Sequence, residues 1–172
     1  MPYAPGGTVF YTTTESDVLG RPLTITAPNG NEASYTYNGL VSTVTDAKGN
    51  STSTTTDVWG RVISVTPPTG PDVTYSYDVL NNLKTTRRGG VTTEIKYDNA
   101  GRKIGMDDPD MGMAGIIGDN LWGWTYEYDA LGNLTRQTDA RGCVITLGYD
   151  LLNRLSSKTS SGAGCGTQVN TS

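Results

Sequence analysis

The sequence predicts an all-β protein built from tandem β-hairpins of about twenty residues that join into a long, curved antiparallel sheet, as an open strip or a spiral. Three observations carry that expectation. Asp or Asn anchors recur in register along the chain, a Gly or Asn stands three residues after most of them, and the segments between turns alternate apolar or aromatic residues with hydroxyl-bearing ones.

The anchors are Asp17, Asn38, Asp57, Asp78, Asp98, Asp129 and Asp150, spaced 21, 19, 21, 20, 31 and 21 residues apart. One spacing stands out, and it reads as an insertion of about ten residues into one repeat. Tyr37, Tyr77, Tyr97, Tyr128 and Tyr149 each precede an anchor. Three residues after the anchors stand Gly20, Gly60, Gly101 and Gly132, or Asn81 and Asn153. Gly and Asn enter the left-handed region at the least cost, so this position predicts a turn residue with positive φ. The anchor carboxylate is suited to accept backbone N–H groups just ahead of it, closing an Asx turn. Arg21, Arg61, Arg102 and Arg154 follow the Gly or Asn, within reach of that carboxylate. The Asn38 unit departs from the rule, with Gly39 early and Val41 at the usual Gly place.

A second turn signal follows most anchors, at Gly30, Gly49, Gly70, Gly89 with Gly90, Gly112, Gly142 and Gly162. Each unit therefore holds two turns and two strands. Val73-Thr74-Tyr75-Ser76-Tyr77 shows the period of two that marks a strand, and no amphipathic helix of useful length is present. The chain reads as a single repeat domain over 1–172, with an inserted loop at 107–121 and a Gly/Ser-rich incomplete repeat at 162–172.

Composition agrees. Only 35% of residues are hydrophobic, against about 45–50% apolar in ordinary globular domains. The core is expected to be thin, with strand ladders and cross-strand Tyr and Thr pairs supplying the stability. Net charge is −4 with scattered Lys and Arg, which disfavours a phosphate-tracking groove and hence nucleic acid. No apolar run approaches the roughly 20 residues of a membrane span, and the opening Met-Pro-Tyr-Ala-Pro-Gly-Gly carries no signal-peptide pattern.

The units Tyr97–Arg102 (YDNAGR), Tyr128–Asn133 (YDALGN), Tyr149–Arg154 (YDLLNR) and Asp57–Arg61 (DVWGR) resemble the tyrosine–aspartate, or Rhs, repeat. The resemblance runs from about Thr8 to about Gly162. It implies an antiparallel sheet that spirals into a hollow shell, as in bacterial Rhs effectors, insecticidal toxin complexes and the teneurins. Seven units are too few to close such a shell, so a fragment of its wall, or a different assembly built from the same unit, is expected. The self-cleaving D-P-x-G-L motif of such shells has only a distant counterpart here, in Asp108-Pro109-Asp110-Met111-Gly112-Met113.

Catalysis is not expected. The chain has no histidine, which removes the commonest general base, and its carboxylates are mostly committed to turns. The resulting expectation is a non-enzymatic wall segment of a secreted or cell-surface Rhs-like shell, partnered by further repeats or copies of itself and enclosing a toxin cargo. A self-assembling extracellular fibre subunit is the first alternative. A carbohydrate or cell-surface adhesion module is the second, with Trp122, Trp124 and Tyr126 as a glycan-stacking platform against the plainer role of packing.

No cofactor is expected beyond calcium, for which the inserted loop offers Asp107, Asp108, Asp110 and Asp119, although a solvated acidic loop explains them equally well. The two cysteines, Cys143 and Cys165, are expected with one strand between them, roughly 9–10 Å of sheet. An intrachain disulfide then requires the 162–166 tail to bend back. Two free thiols, or an interchain bond through Cys165, stay open beside it.

Overall fold

The computed structural model describes residues 11–111, 122–162 and 164–165. The chain divides into two compact units, Met1–Val73 and Thr74–Ser172. No helix is present among the described residues.

In the first unit, β1 (Thr13–Ser16), β2 (Pro22–Thr26), β3 (Glu32–Asn38), β4 (Val41–Thr45), β5 (Ser51–Thr56) and β6 (Val62–Thr66) lie side by side in chain order, each antiparallel to the next. With β7 (Val73–Tyr77) leading in, the second unit continues as β8 (Leu83–Arg88), β9 (Val91–Tyr97), β10 (Lys103–Asp107), β11 (Trp124–Tyr128), β12 (Leu134–Thr138), β13 (Val144–Tyr149) and β14 (Leu155–Ser161). These strands also follow chain order and pair antiparallel. Ser76 and Thr85 join β7 to β8 through their hydroxyls at 2.6 Å. Every connection is local, as expected of hairpins stacked edge to edge.

Turn chemistry sets the register. At Asp17 the backbone N–H donates to the Arg21 carbonyl at 2.8 Å, and the Gly20 N–H donates to the Asp17 carbonyl at 3.0 Å. Gly20 has φ 77. This is a three-residue hairpin loop, a type I turn closed by a left-handed residue, and the ladder beside it shifts register between Glu15 and Ser16. The same loop recurs at Asp57, Asp78, Asp98, Asp129 and Asp150. Asn81 and Asn153, at φ 71 and 64, replace glycine in two of them. The Asn38 unit differs because its loop has only two residues, Gly39 and Leu40, between the paired Asn38 and Val41, so no bulge is needed.

The period of two gives the first unit unlike faces. Directly paired residues share a face, so Thr24–Ser34–Thr45–Ser51 and Thr36–Thr43–Ser53–Thr66 run as hydroxyl rows across the strands. Within them Thr43 bonds Ser53 at 2.7 Å and Thr45 bonds Ser51 at 2.8 Å. The other face carries Tyr35–Val44–Thr52 and Tyr37–Ser42–Thr54–Val65. The core is correspondingly thin. Met106 is the one large apolar side chain buried outright among the described residues. Ladder bonds and cross-strand pairs therefore carry stability that a second layer would otherwise supply.

The expected separation of the cysteines is corrected. Cys143 precedes β13 and Cys165 follows β14, and these strands are partners, with Val144 opposite Ser161. No strand intervenes. The two cysteines sit at the open end of one hairpin, their Cα atoms 4.7 Å apart, and they form a disulfide.

Candidate functional site

Two arrangements concentrate the polar chemistry of this chain: the repeated Asp–Arg–Tyr cluster at the turns, and the neighbourhood of the insertion.

In the first, each turn carboxylate accepts bonds from both backbone and side chain. Asp57 Oδ1 accepts the N–H of Trp59 at 2.9 Å and of Arg61 at 3.0 Å, while Oδ2 accepts Arg61 Nε at 2.7 Å. Asp98 repeats the pattern with Ala100 and Arg102, and Asp150 with Leu152 and Arg154. Where Asn replaces Arg, its amide takes the second oxygen, as Asn82 does for Asp78 and Asn133 for Asp129.

The arginine then reaches the next repeat. The Arg21 guanidinium lies 4.2 Å from the centre of the Tyr37 ring, and that of Arg102 lies 4.9 Å from the centre of Tyr128. Each tyrosine hydroxyl returns a bond to the residue after the arginine, Tyr37 to the Pro22 carbonyl at 3.0 Å and Tyr128 to that of Lys103 at 2.8 Å. Tyr149 does the same to Leu134, after Asn133. The Tyr-Asp-x-x-Gly-Arg string is thus a coupling device: Asp folds the turn and holds Arg, and Arg supports the following Tyr.

The bonding lowers the affinity of these carboxylates for protons. Asp17 is held below its ordinary value of 3.8 chiefly by the Arg21 side chain, Asp129 by that of Asn133 and Asp139 by that of Arg141. Asp98 and Asp150 are held down first by the backbone N–H of Arg102 and of Arg154. At Asp57 partial burial pulls upward, and Arg61 with two backbone N–H groups outweighs it.

Two members of this set lie outside the anchor register. Asp46 accepts Lys48 N–H and Asn50 N–H, and Asp139 accepts Arg141 N–H and Cys143 N–H, all at 2.8–2.9 Å. They build the same loop on the opposite edge of their sheets. Their signal in sequence is a second Asp-x-x-Gly, at Asp46–Gly49 and Asp139–Gly142.

Around the insertion the carboxylates disperse. Asp107 is 1% exposed and its Oδ1 accepts Gly123 N–H at 2.6 Å. Asp108 accepts the Thr93 hydroxyl at 2.9 Å and the N–H groups of Asp110 and Met111. Asp107 is paired with Glu94 and Asp108 bonds Thr93, adjacent residues whose side chains alternate across the sheet, so the two aspartates serve opposite faces. Asp110 is exposed, and Asp119 lies outside the described residues. Among the described residues, no three His, Cys, Asp or Glu side chains converge as metal ligands.

The aromatic residues here are engaged within the chain. Trp124 Nε1 donates to the Met111 carbonyl at 3.0 Å, and Lys103 Nζ sits 4.4 Å from the centre of the Tyr126 ring. Trp122 packs on Gly105, where an added Cβ would meet its ring at 2.6 Å. Glu94, 9% exposed, and Trp122 both border a cavity of about 240 Å³ shared with Lys96 and Tyr97. Glu94 Oε2 and Trp122 Nε1 are buried there without a hydrogen-bond partner among the described residues. A hydroxyl group, which donates and accepts at once, is the kind of group that satisfies both. Sequence reading misses Glu94, because Thr-Thr-Glu-Ile-Lys-Tyr places it on an ordinary polar face; its burial accompanies the packing of Trp122 over that face.

Gly105→Val should therefore push the Trp122 indole off the sheet. The expected result is red-shifted tryptophan emission and a loss of about 1–3 kcal/mol, the usual cost of overpacking. Unchanged emission and melting would show that Trp122 does not rest on Gly105.

Comparison with known proteins agrees with this geometry. The family model described as RHS Repeat matches residues 17–53, 57–92, 122–144 and 128–164, more than half of the chain. No curated protein matches it. The fold is similar to the TcdB2-TccC3-Cdc42 crystal structure, with TM-score 0.73 and 16% identity over 92% of this chain and 9% of that one. TcdB2-TccC3 without its hypervariable C-terminal region gives TM-score 0.72 and 16% identity, over 90% and 8%. The Tc holotoxin pore of Photorhabdus luminescens, carrying a TccC3 mutation, gives 0.70 and 16%, over 91% and 9%. This chain thus spans less than a tenth of the length of each of these solved chains. With a family model covering most of its hairpins and the repeat cluster present in its turns, the chain belongs to the RHS repeat family.

Proposed function

We propose that this chain is a structural, non-enzymatic wall segment of a secreted RHS-type shell, joined to further repeats and enclosing a toxin cargo. The observation that carries the reading is the Asp–Arg–Tyr coupling, which commits the polar groups of successive repeats to holding one another. Such a device extends a sheet by repetition and leaves its carboxylates and guanidinium groups occupied. Similarity of fold to the Tc toxin chains supports the shell, and the small share of those chains that it spans supports a segment.

One observation favours a second reading, a self-assembling fibre. Among the described residues strand β14 is paired with one strand, β13, in the second unit, and an open strand edge is a template for another chain. Its side chains, Leu155-Ser-Ser-Lys158-Thr-Ser-Ser161, are polar with a lysine at the centre, which blunts such pairing. Negative-stain electron microscopy of the purified chain, with a sizing column run across concentration, separates the two. Discrete particles of constant size are expected of a wall segment, and regular filaments would overturn it in favour of the fibre.

A further inference from the structure

Elsewhere in this chain polar side chains are spent on one another, and at the cavity beside β9 two are not. Among the described residues, Glu94 Oε2 and Trp122 Nε1 are the buried side-chain polar atoms without a partner, and both residues line that cavity. Burying either group unpaired costs free energy, and the carboxylate costs more. The turn carboxylates avoid that cost through their own loops, and Trp124 avoids it through the Met111 carbonyl.

The ladder fixes where these groups stand. Glu94 pairs with Thr85 on β8 and with Asp107 on β10, so the three share one face. Lys96, two residues on, shares that face and pairs with Gly105. Trp122 packs on Gly105, with Lys96 Nζ 5.9 Å from the centre of its ring. The indole is therefore a wall, Glu94 lies buried beside it, and the exposed Lys84 and Lys96 open the cavity to solvent.

This lining selects its ligand. A carboxylate accepts and an indole N–H donates, so the ligand must do both, as a hydroxyl does. Glu94 and Asp78 stand against Lys84 and Lys96, so neither an anion nor a cation gains a net attraction. Trp122 and Tyr97 add aromatic surface on which the C–H groups of a ring pack. At about 240 Å³ the cavity exceeds the share of a single water and falls below the volume of a drug-sized site. We infer that this cavity is a binding site for a small neutral polyol, no larger than about one sugar ring. The Glu94 carboxylate meets the ligand by turning about its last torsion, whose minimum is broad. The site is separate from an exposed platform of Trp122, Trp124 and Tyr126, since Trp124 and Tyr126 are not in its lining. It is also independent of whether the repeats enclose a cargo.

Proton–nitrogen NMR of the intact labelled chain tests it, with glucose, galactose, mannose and myo-inositol added in turn. Trp122→Phe identifies the Trp122 indole signal by its loss. At least one of the four should shift that signal saturably, with a dissociation constant of about 1 mM, the usual efficiency of small ligands applied to a ring of about twelve heavy atoms. The exposed Trp59 signal should stay in place. Glu94→Leu should weaken binding about tenfold and leave the melting temperature level, because it removes a buried, unpaired carboxylate oxygen. Should that variant not fold, Glu94→Gln keeps the shape and should weaken binding about fivefold, a charged hydrogen bond becoming a neutral one. Maltose separates two sources of the same chemistry: binding equal to glucose marks the end ring of a glycan, and exclusion marks a free polyol. Shifts that grow linearly and move every indole alike, with all four compounds, would overturn the inference and leave the cavity to water. Tighter binding of glucuronate than of glucose would overturn it too, since the lining would then favour an anion.

Discussion

Between pH 7 and pH 5 the thermal midpoint of this protein should stay level, and below about pH 4 it should fall steeply. Asp17, Asp46, Asp57, Asp98, Asp129, Asp139 and Asp150 all bind protons less readily folded than their ordinary value of 3.8. A carboxyl with a depressed folded value contributes stability that is complete above its unfolded value and is lost as pH falls through the folded one. All seven therefore act in the same direction and in the same window, beginning near pH 4 and continuing downward. Each protonation also removes the charge that faces the side-chain partner and turns one of the two acceptor oxygens into an O–H, so proton uptake weakens the bonding that holds the turn. Thermal melts followed by circular dichroism at intervals from pH 7 to pH 2.5 measure the effect. Asp57→Asn keeps one acceptor oxygen and gives up the charge facing Arg61, so it should lower the midpoint at pH 7 and flatten the acid limb slightly. A midpoint that stays level to pH 3 would show that the turn carboxylates do not stabilise the fold.

The same seven residues show what was legible in the sequence. The anchors stand out because the loop they fold demands Asp at its start and Gly or Asn three residues on, and few residues tolerate φ near 80. The alternation of Val73–Tyr77 is equally direct, since a strand with two unlike faces has no other way to write itself. Outside the insertion, chain-order pairing follows from loops too short for any crossover. Pairing across the sheet is harder to read. Arg21 and Tyr37 stand sixteen residues apart, and only the stacked hairpins bring guanidinium over ring. Asp46 and Asp139 stay hidden because the anchor register draws attention to one edge, although both edges use the same loop. Glu94 is illegible for a stronger reason. Its burial accompanies Trp122, which arrives 28 residues later, after an insertion that breaks the repeat. The cysteines fall between these cases: their positions in the repeat are plain, but one miscounted strand turns hairpin neighbours into residues too distant to bond.

Reducing the disulfide, or replacing Cys143 and Cys165 with Ala, should loosen one end of the second unit and leave the rest in place. The bond joins residues 22 apart in sequence and clamps the open end of the β13–β14 hairpin, where Val144 faces Ser161. Closing a loop of this size is worth about 3 kcal/mol by chain entropy. In a globular core that sum would lower the stability of the whole. Here each strand touches only its neighbours, so the energy is held locally and is lost locally. Strand β14 is otherwise held mainly by β13, since six of its seven residues are exposed and β13 is its one partner strand among the described residues. Amide exchange should therefore accelerate by about a hundredfold across β13 and β14, the factor that 3 kcal/mol represents. Amides of β8 and β9, at the other end of the ladder, should keep their rates. Hydrogen exchange followed by mass spectrometry, with and without reductant, resolves the two segments. Uniform acceleration would mean that the repeats unfold as one cooperative body. No change in β14 would mean that the ladder bonds alone hold the final hairpin, and that the disulfide contributes nothing to it.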